Sequence, residues 1–231
     1  MSIESNNFKK NVSKIYYINL YSRPDRNNET IKELEKHNLL DISKRISAYA
    51  GSVRKNFKHG SKHWLKTQDA ITRSHIKAIK KAQKLNLEKV LILEDDIVFL
   101  TIDEKDPFYF INKAVSDVEK IPDWDILYLG GTLHQNSISL ESEFLMKVDS
   151  ILGIQAYILH NRAYNKFLKL YQYGVPPDVI ALGLPNKYSV YPGPAGQRMG
   201  SLDNNGKNSP NVDPYELYVN SYLSVGLSKC F

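Results

Sequence analysis

Val90-Leu91-Ile92-Leu93-Glu94-Asp95-Asp96, in one-letter code VLILEDD, decides the fold: four aliphatic residues run without interruption into three carboxylates. An apolar run with no polar alternation suits a strand covered on both faces, as in a mainly parallel sheet. In an open α/β sheet, ligands bind at the carboxyl ends of the strands. The carboxylates therefore fall where a ligand would sit. Three neighbouring negative charges repel, and a cleft makes them costly unless a cation offsets them. Oxygen-only ligands suit Mg²⁺ or Mn²⁺, which complete their shells with substrate phosphates. Strand alternation puts Glu94 and Asp96 on one side as the metal pair and Asp95 on the other. The competing structural role is an acidic loop that caps a helix or pairs with lysines.

Around this strand the chain alternates strand and helix. Ile15 to Leu20 (IYYINL) is β-branched and aromatic, hence a strand. Ser22-Arg23-Pro24-Asp25 offers a cap, an early proline and a first-turn acid, so a helix is expected from there to about His37. Arg45 to Tyr49 reads as a short strand. Thr67 is the expected N-cap of a helix whose stripe is Ile71, His75, Ala78, Ile79, Ala82 and Leu85. Asp125 to Leu129 and Ile154 to Leu159 are further strands, and Tyr164, Phe167, Leu168 and Tyr171 mark another amphipathic helix. From Gly183 to Pro214 the chain is rich in Gly, Pro, Asn and Ser and reads as long functional loops. The expected architecture is α/β: one domain over residues 14–231, with a mainly parallel sheet, helices on both faces and long C-terminal loops. Residues 1–13 are expected to be a flexible arm.

Composition narrows the function. The 231 residues hold one cysteine, Cys230, which excludes a disulfide framework and a thiolate metal cluster. No run approaches the roughly 18 apolar residues of a membrane helix, and the polar N-terminus lacks a secretory core. The resulting expectation is a cytoplasmic protein, with peripheral membrane contact as the alternative. The net charge of +6 fits either an anionic partner or simply a solvated surface rich in scattered lysines. No Walker-type phosphate loop, dinucleotide glycine motif or nucleophile elbow is present.

Further residues belong to the same edge of the sheet. Arg23 and Arg26, in the turn NLYSRPDR that begins at Asn19, suit phosphate oxygens. His75, beside Ser74, lies on an apolar stripe, which fits either a satisfied core histidine or a residue that orients a carboxylate. Tyr188 and Tyr191 are candidates for an acceptor groove, since sugar rings stack on aromatic faces.

The order NLYSRPDR, RISAYAG, TRSHIKAIKKAQKLNLEKVLILEDDIVF, WDILYLGG, ILGIQAYILHNRAYNKFL, PPDVIALGL and VYPGPAGQRMGSLDN resembles glycosyltransferase family 25, over about Lys14 to Asn205. The resemblance implies a GT-A fold, a UDP-sugar donor, Mn²⁺ (or Mg²⁺) and inversion at the anomeric carbon. The hexose would be galactose or glucose, and the acceptor a glycan, lipid-linked sugar, lipooligosaccharide or hydroxylysine. By the same resemblance the acidic metal motif falls on Glu94-Asp95-Asp96, of which alternation selects Glu94 and Asp96 as the metal pair, and Asp203 is a candidate further ligand. Asn19, Arg23, Arg26, Ser74, His75, Asp95, Gln197 and Ser201 surround the nucleotide-sugar. Asp178, in the Pro177-Asp178 motif, is the expected catalytic base, with Asp203 as the alternative. This chain departs from the family in carrying Asp69-Ala70-Ile71-Thr72-Arg73 before the Ser-His pair. A homodimer is compatible with the sequence, and no specific nucleic-acid partner is expected. The rival readings are a nucleotidyltransferase or phosphohydrolase, a basic nucleic-acid-binding module, and an inactive relative that binds sugar.

Overall fold

The computed structural model describes residues 3–52, 58–133 and 138–198. Its helices are α1 (Ile3–Asn11), α2 (Pro24–Lys36), α3 (Lys62–Lys84), α4 (Pro107–Val118), α5 (Asn161–Lys169) and α6 (Pro177–Leu182). Its strands are β1 (Ile15–Asn19), β2 (Ser43–Ser47), β3 (Lys89–Glu94), β4 (Ile97–Phe99), β5 (Ile126–Tyr128), β6 (Thr132–Leu133), β7 (Ile138–Leu140), β8 (Leu145–Val148), β9 (Ile151–Leu152), β10 (Ala156–His160), β11 (Lys187–Val190) and β12 (Ala195–Gln197).

Eight strands form the central sheet in the order β2-β1-β3-β10-β5-β11-β8-β7. β2, β1 and β3 pair in parallel, β10 runs against both β3 and β5, β5 and β11 are parallel, and β8 runs against β11 and β7. All its strands except β10 and β8 therefore point one way, and the sheet is mainly parallel.

β3 shows why the aliphatic run forms a central strand. Leu91 and Leu93 pack into a core on one face with Phe8, Leu34, Phe108, Ile111 and Trp124. Val90 and Ile92 pack on the other with Ala78, Ile79, Ala82, Tyr164 and Phe167. All four are fully buried, and each buried aliphatic side chain contributes roughly 1.5–3 kcal/mol relative to exposure. Helices α1, α2 and α4 thus cover one face, and α3 and α5 the other.

The order β2-β1-β3 has a functional consequence. From β1 the chain crosses to β2 on one side, then passes back over β1 to β3 on the other. The crevice at the carboxyl ends of β1 and β3 is a topological switch point, where this class of sheet binds ligands. A two-stranded β12–β4 ribbon flanks it. The glycine pair that closes β5 makes room for that ribbon. A Cβ on Gly130 would collide with the Ala195 carbonyl oxygen, and Gly131 has φ +132°.

Several expectations need correction. Residues 3–11 form α1 rather than a flexible arm, because Phe8 and Val12 are completely buried and Phe8 meets Phe108 of α4 edge-on at 5.1 Å. α3 begins six residues before the expected start, capped by Ser61, whose side chain accepts from Trp64 N. Thr67 instead donates its hydroxyl to the His63 carbonyl and accepts from Ser52 N. Ser61→Ala is expected to cost about 1 kcal/mol, read as a shift in the urea midpoint with unchanged slope.

Residues 187–190, expected in a loop, are the fully buried strand β11. Its polar character misled because the polar atoms are satisfied internally. Lys187 Nζ donates to the Leu182 and Leu184 carbonyls, and the Ser189 hydroxyl lies 3.3 Å from the Val190 carbonyl. Tyr188 and Tyr191 are core residues, 4% and 5% exposed, not the walls of an acceptor groove. Helix α4 carries no expectation from the sequence, although Phe108, Phe110, Ile111 and Val115 anchor one core.

Candidate functional site

The carboxyl ends of β1 and β3 are joined by Asp95. Asn19, the last residue of β1 and 1% exposed, donates its amide to Asp95 Oδ2 at 2.6 Å and to the Arg23 carbonyl at 3.1 Å. Arg26, in the first turn of α2, donates Nη1 to Asp95 Oδ1 at 2.8 Å and lies 3.6 Å from Asp96 Oδ2. The Thr30 hydroxyl is within bonding distance of the Asp95 and Arg26 carbonyls. Asp95 is thereby committed to protein partners. It fastens the arginine turn to the acidic strand end.

Glu94 follows the alternation of β3 and faces α3. His75, 1% exposed, approaches Glu94 Oε1 through Nε2 at 3.3 Å and the Tyr157 hydroxyl through Nδ1 at 3.0 Å. Burial holds the Tyr157 hydroxyl well above its ordinary pKa, with the Glu94 charge adding to the rise, so it stays protonated. The consistent tautomer has Tyr157 donating to Nδ1 and Nε2–H donating to Glu94. Tyr157→Phe leaves a buried Nδ1 unpaired and is expected to cost about 1–3 kcal/mol, measured by denaturant unfolding.

Arg26, His75, Glu94 and Asp95 line one cavity of about 180 Å³. Its walls include Ile18, Arg23, Arg26, Tyr49, Ser74, His75, Glu94 and Asp95. Arg23 reaches it already paired: its guanidinium forks onto Asp25 at 2.7–3.1 Å and holds that carboxyl down to about 2. The Ser74 hydroxyl donates to the Ala70 carbonyl and accepts from Tyr49 N. It shapes the wall.

Asp96 is 7% exposed, and its Oδ1 is buried without a hydrogen-bond partner among the described residues. Burial first, then the Glu94 carboxylate, pushes it up to about 7 against the attraction of Arg26. Among the described residues no group of three or more His, Cys, Asp and Glu side chains gathers as a metal site. The chemistry of the Glu94–Asp96 pair nevertheless fits a hard divalent cation, since Mg²⁺-type ions are commonly held by one or two carboxylates plus substrate phosphates. The orphaned Asp96 oxygen is the atom that such an ion would satisfy.

Gln197 and Asp178 stand apart from the cavity. Gln197 is exposed on β12, opposite Ile97, next to Asp96 in the chain. Asp178 lies at the start of α6, with Oδ2 accepting from Gly153 N at 3.2 Å and Oδ1 from Val179 N at 2.9 Å. Gly153 is two residues from Gln155, whose carbonyl accepts from Glu94 N, so Asp178 shares the strand-end side of the sheet. Ser201 and Asp203 lie outside the described residues. Sequence reasoning missed Thr30, Tyr49, Tyr157 and Arg198. Arg198 N donates to the Asp96 carbonyl at 2.7 Å, and its side chain pairs with Glu29 at 2.8 Å. Only Thr30, four residues after Arg26 on one helix face, left a signal in the pattern.

A mainly parallel α/β sheet with arginines and carboxylates gathered at its switch point is the architecture of a ligand-binding enzyme. The chain belongs to glycosyltransferase family 25 (LPS biosynthesis protein), whose model matches residues 12–181. That span includes every candidate above except Tyr188, Tyr191, Gln197, Arg198, Ser201 and Asp203. No curated protein matches. Among solved structures the chain is similar to a UDP-glucose pyrophosphorylase complexed with UDP-glucose, at 7% identity, covering 98% of this chain and 87% of that one with a TM-score of 0.46. It is also similar to a glycosyltransferase involved in glycosylation of the major capsid of PBCV-1, at 11% identity, covering 68% and 64% with a TM-score of 0.37. A mannose-1-phosphate geranyltransferase from Thermus thermophilus matches at 9% identity, covering 77% and 72% with a TM-score of 0.39. No helix among the described residues is long and apolar enough to cross a membrane.

Proposed function

We propose that the protein transfers a hexose, galactose or glucose, from a UDP-sugar to a hydroxyl of a glycan, lipooligosaccharide or hydroxylysine acceptor, with inversion, on a GT-A-type fold. One observation carries this: Arg23, Arg26, Ser74, His75, Glu94 and Asp95 line a single cavity at the switch point of the sheet. The cavity is of a size for the nucleoside end of the donor, with the diphosphate directed toward Glu94 and Asp96.

Each residue then has a role. Arg26 sets the position of both aspartates while its charge faces the diphosphate. Arg23 leaves Asp25 in part to meet a phosphate or ribose oxygen. His75, held by Tyr157, fixes the rotamer of Glu94. A divalent cation, Mn²⁺ or Mg²⁺, held by Glu94 and Asp96 with Asp203 as a further ligand, would neutralise charge on the departing UDP. Asp178 accepts the proton of the acceptor hydroxyl as that oxygen attacks the anomeric carbon and the bond to UDP breaks. Its present bonds to two backbone amides leave lone pairs for this. Gln197 and Ser201 belong to the sugar end.

The test is UDP release from a panel of UDP-sugars with and without Mn²⁺, comparing the wild type with Asp178→Asn. Hydrolysis or transfer with one donor, dependent on metal, is the expected result. Asp178→Asn should bind UDP normally yet transfer at least about 10²-fold more slowly. Silence across the panel together with no Mn²⁺-dependent UDP binding would overturn the reading.

A further inference from the structure

A second cavity, about 400 Å³, lies on the outer side of α3 and is lined by Tyr49, Arg73, Ile76, Lys77, Lys80, Leu168 and Tyr171. Tyr49 is the shared wall: it also lines the switch-point cavity. The floor is aliphatic and the sides are two aromatic rings. Along the rim Arg73, Lys77 and Lys80 recur at helical spacing and are all exposed. The volume is within the about 300–1,000 Å³ typical of small-molecule sites.

The walls are already arranged. The Arg73 guanidinium sits 4.4 Å from the Tyr49 ring centroid, and Lys77 Nζ lies 5.4 Å from it while donating to the Ser47 carbonyl at 2.9 Å. The Tyr171 hydroxyl donates to Asp69 Oδ1 at 2.5 Å, which fixes the opposite ring. Asp69 is 3.9 Å from Arg73, and no acidic side chain lines the cavity itself among the described residues. Lys80 has no hydrogen-bond or ion-pair partner among the described residues. The positive field extends sideways, where Lys14, Lys44 and Lys77 crowd Lys81. A concave site with aromatic sides and, beside the Asp69-paired Arg73, two lysines without an acidic partner among the described residues suits a ring with a negative substituent.

We propose that this groove binds an acidic saccharide, a sugar ring bearing phosphate or carboxylate, as the anchoring part of the acceptor. The proposal rests on the transferase reading and names its acceptor class. Tyr49 lines both cavities, so a chain seated in the groove would lead toward the proposed donor site. A bilayer surface would use the lysines but not the recessed floor.

The experiment uses the full chain without donor or metal, so its outcome is separate from that of the UDP-release assay. Binding of glucose 6-phosphate, glucuronate, neutral glucose, inorganic phosphate and phosphatidylglycerol vesicles is followed by amide chemical shifts in solution or by vesicle co-sedimentation. Glucose 6-phosphate or glucuronate should perturb residues around Tyr49, Arg73 and Tyr171, whichever binds identifying the anion. Neutral glucose and inorganic phosphate should each bind at least about tenfold more weakly. The Lys77→Glu/Lys80→Glu double variant should lose about tenfold in affinity while its binding of UDP is unchanged. Equal binding of bare phosphate, binding indifferent to charge reversal, vesicle binding without sugar binding, or no binding at millimolar ligand would each overturn the proposal.

Discussion

Asp96→Asn is expected to reduce metal-dependent UDP release by roughly 10²- to 10³-fold, several kcal/mol of lost charge stabilisation. The fold should survive. Asn keeps the shape of the side chain, and the carboxylate it replaces is buried, has an Oδ1 with no partner among the described residues and faces the like charge of Glu94. Removing a buried charge of this kind relieves desolvation and repulsion. The metal-free variant should therefore melt at a higher temperature than the metal-free wild type at pH 8. Added Mn²⁺ should stabilise the wild type and leave the variant unmoved. Differential scanning calorimetry with and without Mn²⁺, beside the turnover assay, checks both halves. Full turnover in the variant would remove Asp96 from the proposed metal site.

Arg26→Met should have the larger effect on stability. Arg26 and Asp95 are 2.8 Å apart with side chains only 15% and 12% exposed. Breaking a buried pair by removing one partner leaves the other charge uncompensated, at a cost of about 3–5 kcal/mol. For a chain of this size that lowers the melting temperature by about 10 °C. The loss should be non-additive. Arg26→Met/Asp95→Asn should recover part of it, because the stranded charge is gone and the Asn19 bond can be kept. Arg26→Lys should fall between, retaining charge without the guanidinium fork. A double variant as unstable as the sum of the singles would mean that Arg26 and Asp95 act independently.

The site was legible in part, and the division follows from what a linear pattern encodes. Glu94, Asp95 and Asp96 were visible because a fully aliphatic strand rarely ends in three carboxylates unless a cation or a basic partner meets them. Their different roles were not visible. Alternation separated Asp95 from its neighbours, yet only the fold shows that its carboxylate is taken by Asn19 and Arg26 from 76 and 69 residues away. His75 stood out on its apolar stripe, but its partner Tyr157 sits in β10, 82 residues later. Tyr157 looked like any strand aromatic, since nothing local distinguishes a hydroxyl that meets an imidazole from one that meets none.

Polar residues misled where their partners were distant or unusual. Lys187 and Ser189 made β11 look like loop because a buried lysine is rare, and its ammonium protons are met by backbone carbonyls only after α6 folds back. Phe8 and Val12 were lost in a polar N-terminus whose apolar content suffices only because α4 supplies the other half of the contact.

By itself the sequence determined the alternation of strands and helices, the buried central strand, the acidic strand end and the family. Each is a local period, composition or motif carried by contiguous residues. The tertiary structure alone decided the strand order β2-β1-β3 that makes a switch point, the commitment of Asp95 to Asn19 and Arg26, and the second groove behind Tyr49. These depend on which distant segments share a neighbourhood, and packing over both faces of one sheet, rather than any local preference, sets that.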